Sequence, residues 1–377
     1  MIRFLLFFFI VIFTSCKHEE KDLSANNTST DTLLVEYAKG FSITQYKGFK
    51  LLKVNNPWPN ADQDFTYLLS EENAEIPKNI IYDYQITIPI QKIVVTSTTH
   101  IPSLEMLDEE NTLVGFPGLN YISSEKTRDR ISKDLITELG QNEAINTEVL
   151  ISIRPDAVIG FAIDGNNKTF KTIQKSGIPV LYNGDWTEES PLGKAEWIKF
   201  FGALYNKDKE AASYFTKIKT DYLKAKDLAK NATSSPSVLS GSMYKDQWYV
   251  PYGNSWQAQF IKDANANYIY SKTNGSGSIA LSFESVLNES QNAEFWIAPG
   301  QFQSFDQLAK NSAHYSQFKA VNDEKVFTYS NTLGETGGVI YYELAPTRPD
   351  LVLKDLISIF HPELLPDYKT TFFKPLQ

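Results

Sequence analysis

Apolar residues recur along this chain in three different rhythms. Residues 35–90 alternate with period two. "FSITQYKGFKLLKV" (41–54) is two alternating runs around Lys47-Gly48, which predicts a hairpin, and "FTYLLS" and "YDYQITIPI" continue the strand pattern. From Ile93 short β-branched runs alternate with helical segments. "KIVVTS", "TLVGF", "DAVIGF" and "IPVLYNG" read as strands, "IPSLEMLDE" and "KTFKTIQKSG" as helices. Alternation of this kind predicts a parallel sheet covered by helices on both faces.

"PLGKAEWIKFFGALYN" (191–206) reads as a helix. The third rhythm follows in residues 208–232, where Ala211, Phe215, Ile218, Tyr222, Ala225 and Ala229 fall at spacings of four and three. That spacing marks one face of a single long helix. The α/β pattern then restarts, with strands at "SVLSGSMY", "EFWIAPG" and "KVFTYS" and helices at "WQAQFIKDANA", "SFESVLNES" and "SFDQLAKN". A last helix, "YYELAPTRPDLVLKDLISIF" (341–360), is kinked or restarted at Pro346 and Pro349. The chain therefore divides into a β-rich N-terminal extension (35–90), an α/β lobe (91–206), a connecting helix (207–232) and a second α/β lobe (233–377).

The first residues follow none of these rhythms. "MIRFLLFFFIVIFTSC" carries one cation, Arg3, then the apolar run Phe4–Phe13, too short for a spanning helix, which needs about 20 residues. Thr14-Ser15 lead into Cys16, the sole cysteine. The stretch resembles a bacterial lipobox, with Phe13 where Leu or Val is usual. It implies a signal peptide over 1–15 and a lipidated Cys16. Residues 16–34 read as a flexible tether. A single cysteine leaves no disulfide within the chain. A net charge of −9 and a pI near 5.2, with no basic stripe, argue against nucleic acid as a partner.

Two acidic-led units stand out. In "TEVLISIRPDAVIG" Glu148 precedes Ala157 by nine positions. In "FESVLNESQNAEFWIAPG" Glu284 precedes Ala293 by nine. By itself, a Glu in a helix's first turn is explained by the helix dipole.

The order of several motifs around the long helix carries more. "INTEVLISIRPDAVIG", "PLGKAEWIKFFGALYNKDKEA", "SFESVLNESQNAEFWI" and "TRPDLVLKDLISIFHPELLP" resemble, in the same order, segments of the substrate-binding proteins of ABC importers for ferric siderophores, haem and cobalamin. The resemblance spans roughly 90–365 and leaves the extension unassigned. It implies an α/β fold of two Rossmann-like lobes with central parallel sheets, joined by one rigid helix. It also implies a partner: one acidic side chain at each lobe tip, here Glu148 and Glu284, docks onto arginines of an ABC permease.

Ligands of open parallel sheets sit beyond the carboxyl ends of the strands. The loops expected there are rich in hydroxyls and rings. The candidates are His100, Tyr121 and Trp186 from the first lobe, and Trp248, Tyr249, Trp256, Phe302 and Tyr341 from the second. Planar walls suit a large flat or polycyclic ligand, although many rings in a chain with 13% aromatic residues belong to the core. For haem, His100 or Tyr121 would be axial. Arg128, Arg130 and Arg348 would meet an anionic siderophore, with Arg348 more simply ordering the last helix. No His/Cys spacing for zinc exists, so a bare metal ion is disfavoured.

These features predict a monomeric binding protein, without a cofactor of its own, that delivers a metal chelate or corrinoid to a permease. Its place would be the cell envelope, lipid-anchored at the periplasmic face or on the outer surface. The alternatives are a tethered scavenger or sensor that meets no permease, and an enzyme on the same scaffold. Against the enzyme stand the missing G-x-S-x-G elbow, phosphate loop and cysteine set.

Overall fold

A computed structural model describes residues 31–377 except 60, 143 and 276; Cys16 and the signal segment lie outside the described residues. Two α/β lobes flank one long helix. The first lobe is a five-stranded parallel sheet in the order Thr137–Glu138, Leu113–Phe116, Ile93–Val95, Ala157–Gly160, Val180–Tyr182. The second places Asn267–Tyr268, Ser237–Ser240, Phe295–Ile297 and Val326–Thr328 in parallel, with Lys374–Pro375 added antiparallel at the edge. Among the described residues no helix is long and apolar enough to cross a membrane.

The connecting helix runs Asp208–Ala229. Its buried residues are Ala211, Phe215, Ile218, Tyr222, Ala225 and Ala229, the six that the spacing places on one face. At about 1.5 Å per residue it is a rod of about 33 Å. It packs against the last helix, Pro349–Phe360, and against Ile198–Leu204. The helix read over 191–206 is two pieces, Pro191–Glu196 and Ile198–Leu204, meeting at Trp197.

The extension is a five-stranded sheet: Asp31–Leu33, Phe41–Tyr46, Phe49–Val54, Phe65–Ser70 and Tyr84–Thr87; its first strand pairs antiparallel with the second and so takes residues 31–33 out of the stretch read as tether. Lys47-Gly48 form the two-residue hairpin loop, and Gly48 takes a left-handed φ of 81° that its missing Cβ permits. The inward face of the hairpin (Phe41, Ile43, Leu52, Val54) shares one core with Trp197, Phe200 and Phe215. The extension is thus continuous with the first lobe.

Two buried glutamates fasten it there. The Glu196 carboxylate, fully buried, accepts backbone N–H bonds from Glu36, Tyr37 and Ala38, and the Glu188 carboxylate accepts those of Lys39 and Gly40. Lys199 pairs with Glu196 at 2.7 Å. Buried carboxylates are tolerable when satisfied in this way.

Candidate functional site: the cleft between the two lobes

In each sheet the direction of strand addition reverses once. Numbered along the chain, the first lobe's strands lie 3-2-1-4-5, reversing between Ile93–Val95 and Ala157–Gly160. The second lobe's lie 2-1-3-4-5, reversing between Ser237–Ser240 and Phe295–Ile297. At such a switch point the two flanking loops leave in opposite directions and open a crevice beyond the strands' carboxyl ends.

Both crevices are present. On the first lobe, Thr96, Ser97 and Thr98 follow one switch strand and Phe161 the other, lining a hollow of about 470 Å³. The Phe161 N–H donates to Thr96 Oγ1 at 2.9 Å, tying the two loops together. On the second lobe, Gly241–Tyr244 and Ala298–Phe302 line a hollow of about 820 Å³. A smaller cavity of about 170 Å³ adjoins it, between Lys194, Trp256, Phe260, Tyr329, Tyr341 and Ala345. Tyr342 lines all three. It is 47% exposed, and its ring packs edge-on against Tyr329, which stacks on Tyr341 at 4.3 Å.

Tyr342 reaches this position because a strap from the second lobe crosses to the first. After Val326–Thr328 the chain packs the helix Ile340–Leu344 onto the turn Thr98–His100 and the helix Ile101–Met106. The Glu343 carboxylate accepts the Ser123 and Ser124 backbone N–H bonds at 2.7 and 2.9 Å, at the start of the helix Glu125–Ser132. Gly334 and Gly338 let the strap approach. A Cβ on Gly334 would lie 2.8 Å from the Ser123 Cα, and one on Gly338 2.7 Å from the Tyr121 carbonyl oxygen. Burial pushes the Glu343 carboxyl up to about 7, against the two N–H bonds that favour its charge.

The structure distributes the sequence candidates unevenly. Tyr121, 72% exposed, lines the first lobe's hollow, Tyr249 and Phe302 the second's, and Trp256 and Tyr341 the small cavity. Trp186 stands behind the wall, its ring against Phe161 at 5.5 Å.

Two candidates are corrected. Trp248 is fully buried among Trp296, Tyr315, Phe318 and Phe283, because it is an inward position of the strand Gln247–Pro251 rather than part of a loop. His100 is 1% exposed against Phe201 and lines none of the three hollows, because a 3₁₀ turn over Thr98–His100 rotates it inward. Neither ring nitrogen has a hydrogen-bond partner, and burial pulls its pKa down to about 4. It is not placed as an axial ligand.

The arginines are engaged elsewhere. Arg128 donates to the Leu119 carbonyl and Arg130 to Asn111 and Leu113, and neither lines any of the three hollows; Arg348 is held by both oxygens of Asp350 at the head of the last helix.

Glu148 and Glu284 occupy equivalent places. Asn146 caps Thr147–Ile153 by accepting the Val149 N–H, and Ser282 caps Phe283–Ser290 by accepting the Ser285 N–H. Each glutamate is therefore the second residue after its cap. Both are exposed, and neither is in an ion pair among the described residues. Each helix leads back along its sheet into the next strand, so its first turn lies at the carboxyl edge, the edge that the cleft occupies.

Sequence reasoning passed over Tyr342, Tyr329, Phe161 and Lys194. Tyr342 and Phe161 carried a signal, since Phe161 closes the strand read as "DAVIGF" and Tyr342 directly follows the candidate Tyr341. Lys194 carried none.

The sequence profile of the periplasmic binding protein family matches residues 93–333. An uncharacterized lipoprotein of Methanocaldococcus jannaschii is 28% identical over 389 residues, covering 94% of this chain and 91% of the relative. Among solved structures, a possible iron-binding (periplasmic solute-binding) protein from Staphylococcus epidermidis superposes with a TM-score of 0.58 at 18% identity, covering 72% of this chain and 99% of that one. A periplasmic heme binding protein from Pseudomonas aeruginosa gives 0.57 at 17% identity, with 76% and 98% covered. Heme-bound IsdE of S. aureus gives 0.53 at 21% identity, with 72% and 98% covered. At these identities the structures share the fold with this chain. The profile extends through both lobes and the helix between them, and the chain belongs to the periplasmic binding protein family.

Proposed function

We propose that the protein is the substrate-binding component of an ABC importer, capturing a metal chelate (siderophore or haem) or a corrinoid in the inter-lobe cleft and delivering it to a permease. The observation that carries this reading is the convergence of two switch-point crevices on Tyr342, with rings on both sides. A concave site with planar walls and a few polar groups suits a large flat ligand. The charged side chains on the three hollows' walls are lysines, Lys194 and Lys310, which favours an anionic ligand. Relatives named for iron and heme point to the same ligand class.

Glu148 and Glu284 are the proposed docking residues. Two carboxylates in matched positions would meet arginines of a two-fold permease through charge-assisted hydrogen bonds. Cys16 is proposed as the lipid attachment site, which places a monomeric protein on the outer face of a membrane. The M. jannaschii lipoprotein supports that placement.

The test is optical. Haem, ferric siderophores and corrinoids absorb visible light. Protein purified from its host should carry a visible absorption band, or should acquire one, with quenched tryptophan fluorescence, on titration with one of the three. A colourless protein whose fluorescence is unmoved by all three would overturn the reading.

A further inference from the structure

Lys194 is a buried cation that makes no salt bridge among the described residues, although the Asp185 and Glu188 carboxylates are near enough to act on its charge. It is 8% exposed, and its ammonium donates to the Asp185 and Trp186 carbonyls at 3.0 and 3.1 Å. An ammonium has three donors, so one remains. Among the described residues Lys194 is in no ion pair. The acidic neighbours are engaged: Asp185 accepts the Thr99 hydroxyl, and Glu188 accepts the Lys39, Gly40 and Trp197 N–H groups. Burial holds the Lys194 pKa below the ordinary lysine range, against the Asp185 and Glu188 carboxylates, which act to raise it.

This cation faces the small cavity. Its nitrogen lies 5.3 Å from the centroid of Trp256, and the other walls are Phe260, Tyr329, Tyr341 and Ala345. A volume of about 170 Å³ is close to the roughly 150 Å³ of an apolar cavity that admits benzene. The space is therefore the size of one six-membered ring, apolar around most of its circumference, with an ammonium at its wall that has one N–H free of hydrogen bonds and lies over the Trp256 ring.

We propose that this cavity is a subsite for a single aromatic ring bearing an anionic oxygen, an aryl carboxylate or phenolate, with the oxygen on Lys194 and the ring among Trp256, Phe260 and Tyr341. The inference rests on the reading of the cleft as a ligand site, because Gln257, Tyr329 and Tyr342 line both the cavity and the larger hollow beside it. It narrows the cargo to a chelate that presents one aryl acid arm.

The experiment is calorimetric titration of the full-length protein with benzoate, benzamide and acetate at neutral pH. Benzoate should bind, and acetate, which cannot fill the cavity, should not. Benzamide should bind about tenfold more weakly, the difference between a charge-assisted and a neutral hydrogen bond. Lys194→Met should abolish the preference for benzoate over benzamide. Ala345→Leu, which fills the cavity and leaves the lysine in place, should abolish binding of both. Circular dichroism confirms that each variant is folded, and the two variants act on charge and on volume independently. Absence of benzoate binding to the wild type, or unchanged binding in both folded variants, overturns the proposal. If chelates bind the wild type and both variants alike, the subsite falls and the cleft stands. If benzoate binds as described and no chelate does, the cleft reading falls and the subsite stands.

Discussion

The two lobes repeat one plan on their outer helices and diverge on their inner faces. Each has a capped helix with an exposed glutamate two residues past the cap, and each ends that unit in a central strand of its sheet. The cleft faces have little in common. The first lobe offers threonine and serine hydroxyls with Tyr121 and Phe161. The second adds a three-stranded antiparallel sheet (Ser242–Tyr244, Gln247–Pro251, Ser278–Leu281) that walls a larger hollow with Tyr244 and Tyr249. On the reading proposed here, the matched features face a partner with two-fold symmetry, and the unmatched ones face a ligand that has none.

The contrast between core rings and cleft rings should give the largest effects. Trp248→Ala empties a packed core site and should cost about 3–5 kcal/mol of folding stability, read from urea unfolding. Tyr342→Ala removes a half-exposed ring, so it should change stability by no more than about 1 kcal/mol. It should nevertheless weaken chelate binding about ten- to a hundredfold, as truncating a central aromatic contact does. Equal stability losses in the two variants, or unchanged affinity in the second, would erase the distinction.

A smaller effect separates the strap from the rest of the interface. The Glu343 carboxyl is raised from its ordinary 4.5 to about 7 by burial, so the folded state holds its proton more tightly than the unfolded chain. Its contribution to stability is fully present below about pH 4.5 and is lost as the pH rises through about 7. The stability of the wild type minus that of Glu343→Gln should therefore decline across this interval. A flat difference would mean that the carboxyl titrates alike in both states.

The elements were legible where local pattern decides them. The connecting helix shows its six buried positions by spacing alone, and the Lys47-Gly48 hairpin by its turn. The extension's strands from Phe41 onward were legible, but its first strand, Asp31–Leu33, falls in the stretch read as tether, and the role of the sheet was not legible. What fuses them to the first lobe is a pair of glutamates about 150 residues away, and no local pattern marks an acidic residue as buried. Glu343 and Ser123 are likewise 220 positions apart, so the strap and the placement of Tyr342 depend on tertiary contacts. Trp248 was a misreading rather than a silence. In "QWYVP" Trp248 and Val250 are both buried and alternate with exposed Gln247 and Tyr249, a period-two signal that the surrounding turn residues obscured.

The central claim is that ligand capture and permease docking occupy separate surfaces of one molecule. It is tested most directly by measuring chelate affinity in vitro and chelate uptake in cells for Glu148→Arg, Glu284→Arg and the double variant. Surface changes of this kind usually alter stability by about 0.5 kcal/mol or less, so folding and affinity should match the wild type. Uptake should fall sharply in each single variant and to background in the double, because like charges would then meet at the permease. Full uptake by the double variant at unchanged affinity would contradict the account and leave a tethered scavenger in its place.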